Sequence, residues 1–406
     1  MTTLDRLRAL RIAAERELSE DILPYWATRA VDRVQGGFFG AGSDDGVPDQ
    51  SAGKSGVLNA RILWTFSAAL RRRPEPLYRE MADRAFDYLL AHLWDREYSG
   101  LYWEVDHTGA TADDRKQTYG QAFGIYAMSE YYRATGVRPA LDRAIELFED
   151  LESKAFDPAG GGYWEARGRD WRPIDDIRLS DIDLNSPFSM NTHLHMLEAY
   201  TTLALAWDDA RPRVRLRLLL ELMLDRFIDP GSGHLSLFFD ERWQSMSGLV
   251  SYGHDIETSW LICEAADVLG DAALVARAEA TAVKMADAVL AGGFDVERGG
   301  VYNDRTAEGH VNTNKDWWPQ AEAVVGYLNV YRISGREQHL DAALKTWAFI
   351  DEFVVDHRAG EWHTRVSREG VPEPGLTKVD FWKCPYHNAR AMFEIIERTE
   401  QLESAQ

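Results

Sequence analysis

Trp94-Asp95-Arg96-Glu97-Tyr98-Ser99-Gly100-Leu101-Tyr102-Trp103 is the stretch from which the fold is read. An apolar residue precedes an aspartate, polar residues follow, and a glycine leads into aromatic or β-branched side chains. Asp bonds to nearby backbone and Gly supplies positive φ, so the middle is a turn. The residues after the glycine alternate as in a short strand. The pattern recurs as Val31-Asp32 to Gly37-Phe38-Phe39, Phe156-Asp157 to Gly162-Tyr163-Trp164, Ile228-Asp229 to Gly233, Phe294-Asp295 to Gly300-Val301-Tyr302 and Val355-Asp356 to Gly360-Glu361-Trp362. Aspartate to aspartate, the spacings are 63, 62, 72, 66 and 61 residues, which makes six copies of one unit.

A unit of this size holds two helices and a short hairpin. Residues 117–133 place Tyr119, Phe123, Tyr126 and Ala127 at helical spacing, and residues 140–151 follow with Leu141, Ala144, Ile145 and Phe148. Helical segments at about 4–30 and 388–400 bring the count to twelve. The first helix of each unit is apolar nearly all round, as an inner helix should be. Six helical hairpins then close into a ring with their β-hairpins on one rim. The expectation is an all-α (α/α)6 barrel of twelve helices, one catalytic domain over residues 1–406, with the polar tail 401–406 fraying.

Composition narrows the partners. With 45% hydrophobic and 27% charged residues the chain is an ordinary globular one. A formal charge of -21 opposes nucleic acid or an anionic membrane as partner. The basic triplet Arg71-Arg72-Arg73 reads as a solvated helix end. Two cysteines, Cys263 and Cys384, without paired spacing read as reduced thiols of a cytoplasmic protein. Residues 1–17 lack a secretory h-region, and no apolar run spans a bilayer. The 14 Trp and 16 Tyr supply flat surfaces suited to sugar rings.

After each glycine comes the start of a first helix, and there each copy carries an unusual polar or aromatic group. These are Arg61 after Asn59, Tyr119 with Lys116, Asn191 with His195, His254 with Glu257, Trp317 and Trp318 with Gln320, and His387 after Trp382. Ring closure brings the six stretches to one rim pocket. Positions i and i+3 or i+4 share a helix face, so His254 with Glu257, and Asn191 with His195, point into common space. His193 then points away from His195. Neither HExxH nor a carboxylate-rich cluster occurs, and no metal is expected. A structural ion-pair partner is the lesser alternative for Arg61, and the adjacent Trp317 and Trp318 cannot both face inward. Cys384 has no evident activating base and reads as an inert thiol. His92, His107, His234, His310, His339, His357 and His363 read as solvated. Histidines suit proton transfer at neutral pH, Arg and Asn suit a developing oxyanion, and the chemistry implied is proton abstraction beside a carbonyl. A glycoside hydrolase would need two acids across the pocket, whereas Asp255 and Glu257 point apart.

Six motifs carry a family resemblance: Asn59-Ala60-Arg61-Ile62-Leu63-Trp64-Thr65-Phe66-Ser67, Tyr119-Gly120-Gln121-Ala122-Phe123, Asn191-Thr192-His193-Leu194-His195, His254-Asp255-Ile256-Glu257-Thr258-Ser259-Trp260, Trp317-Trp318-Pro319-Gln320-Ala321-Glu322 and Trp382-Lys383-Cys384-Pro385-Tyr386-His387-Asn388. In this order they resemble the cellobiose 2-epimerases of the wider N-acylglucosamine 2-epimerase superfamily, which also contains mannose isomerases. The resemblance spans nearly the whole chain and implies the same barrel and a cofactor-free reaction on a reducing-end sugar. It implies His254 and His387 as the acid/base pair and His195 as a third histidine that assists ring opening or holds the open-chain form. It places Arg61, Tyr119 and Asn191 around the reacting oxygens, Glu257 beside the first base, and Trp382 with one of Trp317 or Trp318 as stacking aromatics.

The expected reaction inverts C2 of the reducing-end aldose of a β-1,4-linked disaccharide, cellobiose or mannobiose. One histidine removes the C2 proton, Arg61 and Asn191 hold the enediolate, the C2–C3 bond rotates, and the other histidine returns a proton to the opposite face. Two bases on opposite sides are simpler than one that must cross the substrate. An aldose–ketose isomerase, or a 2-epimerase of free mannose or glucose, would use the same groups, and a non-catalytic carbohydrate-binding protein is the remote alternative. The expected partner is a small sugar alone, in a monomer or weak homodimer.

Overall fold

The computed structural model describes residues 2–404. Thirteen helical segments follow in order: α1 (Thr3–Arg16), α2 (Leu23–Thr28), α3 (Gly56–Arg72), α4 (Pro76–Tyr88), α5 (Thr118–Thr135), α6 (Arg138–Asp150), α7 (Met190–Ala206), α8 (Ala210–Leu222), α9 (Tyr252–Leu269), α10 (Ala272–Gly292), α11 (Trp317–Ser334), α12 (Glu337–Phe349) and α13 (Tyr386–Ser404). A π turn, Glu17–Ile22, joins α1 and α2 into one rod, so the described residues hold twelve rods.

The odd-numbered helices α3 to α13 form the inner ring. Each packs on the next, and α13 packs back on α3. The rods α4, α6, α8, α10, α12 and α1 lie outside α3, α5, α7, α9, α11 and α13 in turn. Burial follows this order. Every residue of α3 from Gly56 to Ala69 and of α5 from Thr118 to Tyr131 is buried, whereas α6 buries only one face through Ala140, Leu141, Ala144, Leu147 and Phe148. Inner helices approach closely where a side chain is missing. A Cβ on Gly326 of α11 would lie 2.8 Å from the Ile256 carbonyl oxygen of α9. The architecture is the (α/α)6 barrel expected from the repeat.

The six-fold motif folds as its chemistry requires. In each copy the residue before the aspartate bridges the residue seven further on: Val31 with Phe38, Trp94 with Leu101, Phe156 with Tyr163, Ile228 with Leu235, Phe294 with Val301, Val355 with Trp362. All six aspartate side chains accept backbone N–H groups two and three residues ahead. Four copies add a fully buried lysine: Lys54 at 2.7 Å from Asp32, Lys116 at 3.0 Å from Asp95, Lys315 at 3.1 Å from Asp295 and Lys378 at 2.6 Å from Asp356. Phe188 and Val250 stand at the corresponding place before α7 and α9.

The short strand before each inner helix pairs with the hairpin of the next copy, as Lys54–Ser55 does with Glu104–Val105 and Lys315–Asp316 with Arg365–Val366. Val379, ahead of α13, bridges Gly42 of the first copy and completes the rim. The longest spacing, in the third copy, comes from a rim loop over residues 168–187.

Some expectations change. Helix α13 continues through Gln401 to Ser404 in place of a fraying tail, and residues 405 and 406 lie outside the described residues. Arg71 and Arg72 pair with Glu130 and Glu397 at 2.6 Å each and are not simply solvated. His339 is fully buried, with Nε2 2.9 Å from Asp287, and His234 Nδ1 lies 2.7 Å from buried Asp255. His339 ties α12 to α10 and His234 ties the fourth hairpin to α9, as buried polar groups must find partners.

Candidate active site

The first turns of the inner helices open on the hairpin rim, and three of them bring histidines together. His387, at the start of α13, is 5% exposed, with Nδ1 2.7 Å from Glu322 Oε1 of α11. His254, in the first turn of α9, is half-buried, with Nδ1 2.7 Å from Ser251 Oγ. Trp318 packs against both, its ring centroid 4.7 Å from His254 and 5.4 Å from His387. His195 of α7 has Nδ1 3.1 Å from Glu198 Oε2 and meets the Tyr119 ring edge-on at 5.0 Å. Burial first, then the charge of His195, pushes His254 down to about 3. Burial, then Arg61 and Arg390, holds His387 well below its ordinary value. Both imidazoles are therefore neutral, and able to accept a proton, at neutral pH.

Under the histidines lies a buried charged fork. Arg390 Nη2 donates to Glu257 Oε1 and to Glu322 Oε1, each at 2.6 Å, and Nη1 donates to Glu198 Oε1 and Tyr386 Oη. Its guanidinium lies over the rings of Tyr386 and Trp260, 4.4 and 4.8 Å from their centroids. Burial pushes Glu198 up, but Arg390 and His195 outweigh it and hold the carboxyl at about 2. Burial and the charge of Glu322 raise Glu257 to about 7. Glu198, Glu322 and Arg390 are absent from the residues that the sequence singles out. A signal existed: His195 with Glu198, His254 with Glu257 and His387 with Arg390 are all i, i+3 pairs on inner helices. Only the second pair was read that way, and Glu322 carries no such marker.

Glu257, Glu322 and His387 come close enough to share a metal ion, their ligand atoms lying within 4.8 Å of one another. Arg390 Nη2 already bridges the two carboxylates, so a cation's charge is supplied by the chain itself.

Arg61 of α3 closes the other side. Among the described residues it is buried without a carboxylate partner: Nη1 donates to the Trp382 carbonyl at 2.9 Å, Nη2 to Tyr119 Oη at 2.7 Å, and Nε has no hydrogen-bond partner. The structural ion-pair reading of Arg61 therefore fails. Asn191, half-buried, has an unpartnered Oδ1. Trp382 is half-buried, its ring 5.9 Å from Tyr119 and 5.7 Å from Trp103. Trp382, Trp103 and the loop residues Arg178, Leu179, Ser180 and Asp181 line a cavity of about 270 Å³ at the rim. Trp317 is more buried than Trp318 and lies beneath Lys383, with Nζ 5.3 Å from its ring centroid.

Other rim residues serve the scaffold. Lys116 belongs to the Asp95 turn. Gln320 pairs through its amide with both backbone groups of Val301, and Asn59 donates to the Ser55 carbonyl. His193 accepts from the Tyr163 N–H at 3.0 Å and does turn away from the pocket. Burial raises the Cys384 thiol, although the Arg61 charge opposes the shift.

A closed double ring of helices, with imidazoles, carboxylates and an unpaired arginine at one mouth, is the framework of an acid–base enzyme. The family model for N-acylglucosamine 2-epimerase (GlcNAc 2-epimerase) matches residues 37–391. A cellobiose 2-epimerase of Bacteroides fragilis is 44% identical over 389 residues, covering 95% of this chain and 98% of the relative. One from Dictyoglomus turgidum is 37% identical, covering 97% and 99%. The solved structure of cellobiose 2-epimerase from Spirochaeta thermophila superposes with a TM-score of 0.90 at 37% identity, covering 99% of this chain and all of that one. The chain belongs to the N-acylglucosamine 2-epimerase family and is a carbohydrate epimerase.

Proposed function

We propose that the protein inverts C2 of the reducing-end aldose of a β-1,4-linked disaccharide, with His254 and His387 as the proton-transfer pair. The observation that carries this is Trp318, which touches both imidazoles while each has its own partner, Ser251 or Glu322. Glu322, paired with Arg390, accepts from Nδ1–H of His387 and leaves Nε2 as a base. The Ser251 hydroxyl can donate to or accept from His254 Nδ1, so His254 can serve in either role. His387 takes the C2 proton, and the enediolate oxygens gather against Arg61, Tyr119 and Asn191. After rotation about C2–C3, His254 returns a proton to the other face; because burial keeps its imidazole neutral in the free protein, it takes that proton from solvent as the negative enediolate forms, and His387 gives its own proton back to solvent to close the cycle. His195, oriented by Glu198, handles the ring oxygen on opening.

The rim cavity beside Trp382 and Trp103 is the place for the second sugar, because Trp382 also touches Tyr119 and its carbonyl accepts from Arg61, and the relatives named as cellobiose 2-epimerases favour a substrate of this size. Trp318 is the aromatic next to the reacting sugar. One continuous core supports a single catalytic domain.

The experiment is NMR of the protein with cellobiose, and in parallel mannobiose and mannose, in deuterated water. The 2-epimer should appear carrying deuterium at C2, and His254→Ala and His387→Ala should each abolish it while remaining folded. A ketose with deuterium at C1 would make the enzyme an isomerase, and activity retained by either variant would remove that histidine from the scheme.

A further inference from the structure

Arg390 is 2% exposed, and its two terminal nitrogens reach four groups on three other side-chain carboxylates and one phenol. Two of those carboxylates hold histidines. Glu198 offers Oε2 to His195 Nδ1 at 3.1 Å and Oε1 to Arg390. Glu322 offers Oε1 both to His387 Nδ1 at 2.7 Å and to Arg390, while its Oε2 accepts from Trp260 Nε1 at 3.0 Å. The chain of contacts from His195 through Glu198, Arg390 and Glu322 to His387 thus joins α7, α13 and α11 through a single guanidinium. A planar fork can bridge two carboxylates at fixed angles, whereas a lysine ammonium, a point charge on a flexible stem, cannot hold both. Contacts with the Tyr386 and Trp260 rings further hold the fork in place.

We propose that Arg390 is a positioning residue: by holding Glu198 and Glu322 on one guanidinium it orients His195 and His387 and makes the charge of each imidazole felt by the other. This rests on the reading of His387 as an acid/base group. The other charges facing the fork are Glu257 and Glu264 from α9, with Arg61 from α3 and His254 from α9 acting on His387 across the pocket. Three acids, Glu198, Glu257 and Glu322, share one arginine, so a proton gained by one imidazole is balanced within the same cluster.

The test uses two substitutions in the full chain, Arg390→Lys and Glu198→Gln, with imidazole NMR titration of the free protein and the pH dependence of kcat on the epimerised disaccharide. Arg390→Lys keeps the charge but loses the bridge, so kcat should fall at least about tenfold with KM within about threefold. Glu198→Gln touches His195 and not His387, yet it should move the His387 imidazole resonances and the acid limb of kcat. A lysine variant with the parent's kcat, or a Glu198→Gln protein in which only His195 resonances move, would overturn the assignment. Should Arg390→Lys fail to fold, Glu198→Gln decides alone. The NMR readout needs no turnover: if His387→Ala still epimerises, the functional reading fails while the coupling is judged by its own resonances.

Discussion

Where the first rod meets the sixth hairpin, an acid is buried without a cation, and its removal has a calculable effect. Glu17, in the π turn between α1 and α2, is 7% exposed and accepts from Trp362 Nε1 at 2.7 Å. Asp21, one turn on, accepts from the Glu361 N–H at 2.9 Å, and Glu361 itself accepts from Trp26 Nε1 at 2.7 Å. Burial, with the charges of Asp21 and Glu361, raises Glu17 from 4.5 to about 8. Between those two values the unfolded chain releases a proton that the folded chain keeps, so stability is full below 4.5 and is lost as pH rises through about 8. The loss runs at about 1.4 kcal/mol per pH unit and totals as much as about 5 kcal/mol. Glu17→Gln places a neutral amide that can still accept from Trp362 and donate to Asp21. It should match the parent at about pH 5 and exceed it by several kcal/mol at about pH 9. Thermal and denaturant unfolding at a series of pH values measures the gap. Parallel curves for the two proteins would refute the reasoning.

Other outcomes follow from the same geometry. Lys54→Met removes the one ion pair of the Asp32 carboxylate among the described residues, leaving Arg84 on the Asp32 backbone carbonyl only, and should cost about 3–5 kcal/mol, whereas Lys116→Met should cost less because Arg169 still reaches Asp95 at 3.0 Å; denaturation of the two variants side by side ranks them. Because burial keeps His254 and His387 neutral well below 6.5, the acid limb of kcat/KM should lie under that value, and a limb at or above it would contradict the lowered imidazoles. Trp382→Ala should raise KM for a disaccharide by about tenfold and leave that for a free aldose nearly unchanged, as measured by steady-state kinetics on both sugars.

The repeat was legible because its chemistry is local. Each aspartate bonds to backbone within three residues, and each bridge spans seven, so the turn is written into one short string. The inner and outer rods were legible from the width of their apolar faces, and the rim histidines from their place after each glycine. The pairing of the buried lysines with the turn aspartates was not legible, and Lys116 reads in the sequence as a rim group only, because two of the six copies lack the lysine.

What only the tertiary structure decided is which charges meet. Arg390 reaches Glu198 and Glu257 across 192 and 133 residues, and Glu17 meets Trp362 across 345. No spacing in the chain encodes these pairs, since they arise when six helices of separate copies converge on one axis. The choice between Trp317 and Trp318 is of the same kind. Neighbouring residues on a helix point about 100° apart, and only the position of α9 and α13 beside α11 puts Trp318 against both histidines while Trp317 meets His387 alone, edge-on at 6.4 Å. By itself the sequence determined the ring and the kind of groups at its mouth, because turns and amphipathic faces are short-range. The protonation and orientation of those groups depend on burial and on distant partners, and these exist only once the ring has closed.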